Sequence, residues 1–90
     1  MLDDKTITGF YMGLTQRQRE VVQLVSEELS NGEIAEHLCI EPCSVAGHLT
    51  NIFGEISTLD EFANRYPKRY TVIRMFAGFF ERNPHLRSFK

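Results

Sequence analysis

The side chains with the greatest capacity for chemistry lie near the middle of the chain, where two histidines flank two cysteines: His37, Cys39, Cys43 and His48. Imidazole and thiolate groups are typical zinc ligands, which makes a zinc site one hypothesis for this group. The spacing, H-x-C-x3-C-x4-H, matches none of the usual zinc patterns. We therefore predict no metal and no cofactor, and we expect the two cysteines to be reduced thiols.

No arrangement typical of catalysis is present in the sequence. It has no glycine-rich phosphate loop, no nucleophile elbow and no recognisable pair of carboxylates. A chain of 90 residues also leaves little room for a substrate cavity beside a core. We therefore expect a protein that is not an enzyme.

A second set of residues with possible chemistry lies on one face of a predicted helix. Apolar residues with helical spacing form a stripe along this helix: Val45, Leu49, Ile52, Phe53 and Ile56. The opposite face carries small and polar side chains: Cys43, Ala46, Gly47, Thr50, Asn51 and Gly54. In a DNA major groove, Asn51 would resemble a standard base reader, and Ala46 or Thr50 could meet a thymine methyl group.

Two further helices are predicted ahead of that face. Thr15 is a candidate N-cap with Gln18 as its capping-box partner, and a helix should run from there to about Glu28. Ser30 and Asn31 then form a second N-cap pair that opens a short helix.

The short helix and the helix with the polar face form a pair. The short helix should end near Cys39, and Pro42 fits the first turn of the next helix, which should reach about Glu55. A tight turn of about three residues is left between them. The pattern therefore predicts a helix-turn-helix unit.

The two ends of the chain carry different signals. Residues 1–13 are not strongly periodic and are expected to form either an arm that packs or a disordered lead. Ser57 or Thr58 should cap a short helix that the Tyr66-Pro67 pair interrupts. A single amphipathic helix is predicted from about Pro67 to Arg82, and a basic tail follows it.

Together these elements predict an all-α fold, a small helical bundle. We expect one domain, residues 1–90, with a helix-turn-helix module over 14–65 and an additional basic C-terminal helix and tail over 66–90. No apolar run approaches the roughly 20 residues of a membrane span. The first residues lack the cationic and apolar regions of a secretory signal, so a cytoplasmic location is expected.

Three consecutive segments, with two short matches after them, resemble a known family: LTQRQREVV from Leu14, LSNGEIAEHL from Leu29 and IEPCSV from Ile40, then His48-Leu49 and Asn51-Ile52-Phe53. They are similar to the LuxR-type (GerE-like) helix-turn-helix. The resemblance implies a four-helix DNA-binding module, usually the C-terminal output domain of a bacterial transcription regulator. It also implies that the third helix enters the major groove and that the fourth takes part in dimerisation.

The resemblance and the exposed face together give the candidate site. Candidate DNA contacts are polar or small side chains of the motif, with one arginine upstream: Arg17, Ser30, Asn31, Ser44, Ala46, Gly47, His48, Thr50 and Asn51. Aromatic residues of the C-terminal half are expected in the core or in a dimer interface: Phe62, Phe76, Phe79 and Phe80. The expected partners are double-stranded DNA and a second copy of the chain.

The charge of the motif departs from that of an ordinary DNA reader. From Glu20 to Asn64 there are nine acidic residues and no Lys or Arg, whereas Arg65 to Lys90 holds seven bases and one acid. Affinity for DNA comes largely from Lys and Arg that neutralise phosphates, so the motif lacks its usual source of affinity. Family members commonly carry bases at positions occupied here by Gly32, Cys43, Ala46, Gly54 and Glu55.

Two hypotheses follow from the sequence. The first is a DNA-binding transcription regulator that acts through the helix-turn-helix. The second is an acidic helix-turn-helix used for protein–protein interaction or for dimerisation with another regulator, with the basic segment docking on the acidic one. If the motif cannot hold DNA alone, Lys68, Arg69 and Arg74 are the alternative candidates for phosphate contact.

Overall fold

The computed structural model describes residues 3–59 and 67–89. Within these residues all regular structure is helical, which confirms the all-α fold. The elements are α1 (Asp4–Met12), α2 (Gln16–Ser26), α3 (Asn31–Leu38), α4 (Pro42–Ile56), α5 (Arg69–Met75), α6 (Phe79–Arg82) and a 3₁₀ turn (Pro84–Leu86). None of the helices in these ranges has the length and apolarity that crossing a membrane requires.

Reciprocal caps define where α2 and α3 begin: the sequence predicts the one at Thr15, and at α3 it predicts the cap at Ser30 but not its partner Glu33. At α2 the Thr15 hydroxyl accepts a hydrogen bond from the Gln18 backbone N–H (3.2 Å), and the Gln18 side chain accepts one from the Thr15 N–H (2.9 Å). Ser30 and Glu33 make the same pair at α3, at 3.2 and 2.9 Å. These bonds satisfy backbone donors that have no partner inside a helix. The backbone bond from Ser30 also lowers the pKa of the Glu33 carboxyl.

The turn between α3 and α4 is built on a left-handed residue. Cys39 has φ 58° and ψ 44°, a conformation in which a helix commonly ends. The Ile40 N–H then bonds to the Ala35 carbonyl (3.0 Å) and the Cys39 N–H to the Glu36 carbonyl (3.3 Å). Helix α4 begins at Pro42, whose missing N–H is not needed at a first helical position. The predicted short turn is therefore confirmed.

One hydrophobic core joins the helix-turn-helix to both ends of the chain. Helix α4 packs against α2 and α3, and α5 packs against α2. The buried apolar residues come from every α-helix: Ile7, Tyr11, Leu14, Val21, Val22, Leu24, Val25, Ile34, Ala35, Val45, Leu49, Ile52, Ile56, Val72, Met75, Phe76, Phe79 and Phe80.

The N-terminal segment is a helix that packs, so the disordered alternative is wrong. Helix α1 begins after Asp3, whose carboxylate accepts a hydrogen bond from the Thr6 N–H (2.9 Å). Ile7 and Tyr11, one turn apart, both point into the core. A single buried pair and the helix-weakening Gly9 give little periodicity, which is why the pattern does not predict this helix.

The predicted single helix from Pro67 to Arg82 is wrong, because the chain turns between α5 and α6. Gly78 has φ +73°, a left-handed conformation that an α-helix cannot continue through. A Cβ at this position would lie 2.8 Å from Nη1 of Arg82. A lone glycine within an apolar pattern is compatible with a helix, so periodicity did not reveal the break. The short helix expected after Thr58 lies largely outside the described residues.

The turn at Gly78 lets three phenylalanines surround Tyr11. The Tyr11 ring lies 5.9 Å from the rings of Phe76 and Phe79 and 5.4 Å from that of Phe80. All three phenylalanines are buried within one chain, which agrees with their predicted core role. Their predicted part in a dimer interface stays a prediction, and Phe62 lies outside the described residues.

Gln23 fastens the C-terminal tail to α2. Its side chain is buried, and its Oε1 accepts hydrogen bonds from the backbone N–H groups of Ser88 (2.7 Å) and Phe89 (3.1 Å). Its Nε2 donates to the Phe89 carbonyl (3.1 Å) and to Glu27 (3.2 Å). The Tyr11 hydroxyl donates to the Leu86 carbonyl (2.8 Å). Burial raises the pKa of the Tyr11 phenol, so this donor keeps its proton.

Replacing Gln23 with Ala should release the tail. The N–H groups of Ser88 and Phe89 lose their acceptor, at a cost of about 1–3 kcal/mol in unfolding free energy if they stay buried. Urea unfolding measures the loss, and hydrogen exchange should show faster exchange of these two amides. Gln16→Ala, on the exposed side of α2, is the matched control. Unchanged exchange at both amides would contradict the role of Gln23.

Replacing Asp4 with Asn should remove a stability contribution that depends on pH. Arg82 donates to both carboxylate oxygens of Asp4 at 2.8 Å and lowers the pKa of that carboxyl below its ordinary 3.8. The contribution is fully present above this value and is lost as the pH falls through the lowered pKa. Thermal unfolding should therefore show a difference between the variant and wild type at pH 7 that shrinks as the pH falls below 3.8. Glu36→Gln is the control, and a difference that does not change over this pH range would contradict this origin.

Candidate nucleic-acid interface

The face of α4 that points away from the core is the one the sequence predicts. Val45, Leu49, Ile52 and Ile56 are buried, and Phe53 is half-buried. All six predicted outward residues are exposed: Cys43, Ala46, Gly47, Thr50, Asn51 and Gly54. The result is a shallow, nearly uncharged helix surface that a groove or another helix can approach.

Two side chains on this face can read a partner by hydrogen bonding. The Thr50 hydroxyl donates to the Ala46 carbonyl of its own helix (3.0 Å), so it offers a partner only its lone pairs and its methyl group. The exposed Asn51 amide makes no hydrogen bond within the described part of the chain. It therefore keeps both a donor and an acceptor, the combination that pairs with an adenine edge.

Packing against the described residues does not require the glycines of this face. A Cβ added at Gly47 or at Gly54 would meet no atom within 4 Å. Each glycine nevertheless costs about 1 kcal/mol of helix stability relative to Ala. The single chain supplies no reason for that cost, whereas a partner that approaches the α4 backbone would.

The remaining candidate contacts lie at the starts of α2, α3 and α4, apart from His48 in the middle of α4. Arg17, in the first turn of α2, forms an ion pair with Glu20 (3.1 Å). Ser30 caps α3 with its hydroxyl, and Asn31 follows it. Ser44 is exposed near the start of α4. His48 lies one turn further along α4 and is half-buried. These two residues extend the candidate surface along α4.

Arg69 of α5 reaches the start of α3, a placement that the sequence leaves open. Its guanidinium donates to the Asn31 side-chain oxygen and to the Leu29 carbonyl. Arg69 and Asn31 are 38 positions apart in the chain, so only the tertiary fold brings them together. The sequence offers Arg69 as a candidate base but has no signal for its neighbours.

Acidic side chains surround the α4 face. Glu41 precedes α4 and Glu55 lies in its last turn, while Glu33 and Glu36 are exposed on α3. The segment supplies no Lys or Arg of its own to offset them. Among the described bases, Arg17 pairs with Glu20 and Arg69 bonds to Asn31 at the start of α3.

The histidines and cysteines of the motif take separate positions. Cys39 and Cys43 are exposed free thiols, and the His37 ring packs edge-on against Phe89 at 4.7 Å. Within residues 3–59 and 67–89, no three side chains of the metal-binding types form a group that could hold an ion.

Comparison with known proteins places this geometry in a family. The model of the luxR family of bacterial regulatory proteins (GerE) matches residues 12–59, which is more than half of the chain. The match contains α2, α3, the turn and α4. It leaves α5, α6 and the tail outside.

Mycobacterial proteins share the same stretch. HTH-type transcriptional regulators of Mycobacterium bovis (strain ATCC BAA-935 / AF2122/97) and of Mycobacterium tuberculosis (strains CDC 1551 / Oshkosh and ATCC 25618 / H37Rv) are each 41% identical to this chain over 58 residues. The alignment covers 58% of this chain and 7% of each relative. No solved structure matches the chain. From the family match over α2 to α4, we conclude that the chain belongs to the luxR family of bacterial regulatory proteins.

Proposed function

We propose that this chain binds double-stranded DNA as part of a bacterial transcription regulator, with α4 in the major groove. The observation that carries the proposal is the exposed α4 face, held outward by the short turn at Cys39 and by the buried stripe beneath it. An α-helix that presents one free face beside a shorter helix is the arrangement that enters a major groove. The family and the names of the mycobacterial relatives support the same function.

Each candidate residue has a role in this proposal. Asn51 would read an adenine edge, and Ala46 and Thr50 would contact thymine methyl groups. The remaining candidates would position the helix on the phosphate backbone: Arg17, Ser30, Asn31, Ser44 and His48. Gly47 would let the backbone of α4 approach the DNA closely.

A second candidate function is favoured by the charge of the motif. A face flanked by Glu41 and Glu55, in a segment with no Lys or Arg from 20 to 64, repels phosphate. The same small residues would suit a helix of another regulator. This candidate predicts capture of a protein partner and weak, sequence-independent DNA binding.

Assembly and location form the remaining part of the proposal. We propose one domain over residues 1–90, a homodimer as the family resemblance implies, and a cytoplasmic location. Phe76, Phe79 and Phe80 are buried by their own chain, so an interface near α6 would rely mainly on residues around them. Sedimentation equilibrium measures whether the dimer forms.

Replacing Asn51 with Ala should weaken specific DNA binding by about 1–3 kcal/mol, because the variant loses its bidentate contact with a base. Thr50→Ala should cost less, since the hydroxyl hydrogen already bonds to Ala46. Fluorescence anisotropy on duplexes selected from a genomic fragment pool at low salt measures both. Thr6→Ala, at an exposed threonine of α1, is the control. Absence of any binding by wild type would overturn the function.

Replacing Gly47 with Ala should stabilise the protein and weaken its binding to DNA. The added methyl group has open space, so α4 gains about 1 kcal/mol, equivalent to a rise of about 4–8 °C in Tm. Gly9→Ala, also in open space on α1, should give a similar rise with no change in binding. Stabilisation of Gly47→Ala with unchanged DNA affinity would mean that no partner approaches this glycine closely.

A further inference from the structure

We propose that α5 carries a second DNA contact, a phosphate-binding surface formed by Lys68, Tyr70 and Arg74 and joined to the helix-turn-helix through Arg69. We call it the α5 surface. It rests on the proposed function, because it supplies the positive charge that the helix-turn-helix lacks. It lies outside the matched residues 12–59.

The segment that contains α5 is basic. Residues 67–80 contain three bases and no acid. The matched helix-turn-helix has no Lys or Arg after Arg19, and each phosphate contact by Lys or Arg contributes to affinity by releasing counterions. A DNA reader of this charge therefore needs cations from another element, and α5, which packs against α2 and reaches the start of α3 through Arg69, carries them.

Helix α5 directs its basic side chains toward solvent. Val72 and Met75 are buried in the core, which turns Lys68, Tyr70 and Arg74 outward to solvent. Tyr70 is 64% exposed, an unusual position for a large ring. The Arg74 guanidinium lies 5.5 Å from the centre of that ring, an attraction that holds the charge at the surface.

Helix α5 contacts the start of α3 through Arg69. Arg69 bonds to Asn31 and to the Leu29 carbonyl, so its side chain connects the first turn of α5 with the first turn of α3. Ser30 and Asn31, candidate phosphate contacts, belong to that turn of α3. Lys68 directly precedes Arg69, and the α5 surface therefore extends the candidate DNA surface along the phosphate backbone.

The contacts that Lys68, Arg69 and Arg74 make within the chain favour a role in DNA binding over docking on the acidic helix-turn-helix. Among the residues that the structure describes, Arg69 bonds to neutral oxygens, and neither Lys68 nor Arg74 lies within ion-pair distance of a carboxylate. The acids of the described helix-turn-helix are therefore not neutralised by α5. As far as residues 3–59 and 67–89 show, Lys68 and Arg74 are available to meet phosphates that flank the sequence read by α4.

The dependence of DNA binding on salt tests the proposal. For each bound copy of the chain, Lys68→Gln and Arg74→Gln should each reduce the magnitude of the slope of log affinity against log salt by about 0.9, and the double variant by about 1.8. Between 50 and 200 mM salt, wild type should thus lose roughly tenfold more affinity per bound copy than the double variant, and the differences in slope double if a dimer binds. Lys5→Gln, an exposed lysine of α1, removes the same charge elsewhere and should leave the slope unchanged.

Tyr70 acts by positioning Arg74, and its variants separate that role from a structural one. Tyr70→Phe keeps the ring and should keep the slope, whereas Tyr70→Leu should lower it towards that of Arg74→Gln. Circular dichroism and Tm should stay at wild-type values for all these exposed positions. Phosphate ethylation interference should lose one outer signal in each single variant and both in the double variant, and should keep them in Lys5→Gln.

The outcomes separate the two proposals. If wild type binds no duplex at low salt, the proposed function fails, and the α5 surface fails with it. If wild type binds DNA and the variants keep its slope and its interference pattern, the α5 surface is overturned while the function stands. If the variants keep the DNA slope but lose self-association in sedimentation, the surface binds a second copy of the chain, which also overturns the proposal.

Discussion

Three valines of α2 are completely excluded from solvent: Val21, Val22 and Val25. The other helices bury them by packing over α2, and this packing determines where those helices lie. Each buried side chain of this size contributes about 1.5–3 kcal/mol. The pair α3 and α4 covers one side of α2, and α5 covers another. A change in how α2 is packed would therefore alter the angle at which α4 is presented, although α2 itself contributes only Arg17 to the candidate surface.

Shape and charge are divided between different parts of this chain. The matched segment supplies a helix with a free face, and its acidic residues would keep that face away from phosphate. The bases come from a segment outside the match and are brought to α3 by the contact of Arg69 with Asn31. Recognition and affinity would then depend on two elements that can change independently. A homologous α4 alone would not predict how tightly such a protein binds.

Local signals account for what the sequence predicts well. Thr15, Ser30 and Pro42 mark helix starts because capping and the missing proline N–H act within four residues, and the α4 stripe identifies both its buried and its exposed face. The sequence does not predict α1, whose core contacts are with distant phenylalanines, or the break at Gly78, whose φ depends on packing around Tyr11. The contacts of Arg69 and Gln23 also join positions far apart in the chain, so no local pattern contains them.

The way in which Gln23 holds the tail has a consequence for how this end of the protein can evolve. The bonds from Gln23 to the tail reach backbone atoms of Ser88 and Phe89 rather than their side chains. These bonds are therefore largely indifferent to which side chains stand at 88 and 89, although the Ser88 hydroxyl also lies 3.3 Å from that of Tyr11. Proline is the exception, because at either position it would remove the N–H whose hydrogen bond Gln23 accepts. Lineages that keep Gln23 should accordingly vary at positions 88 and 89 but lack proline there.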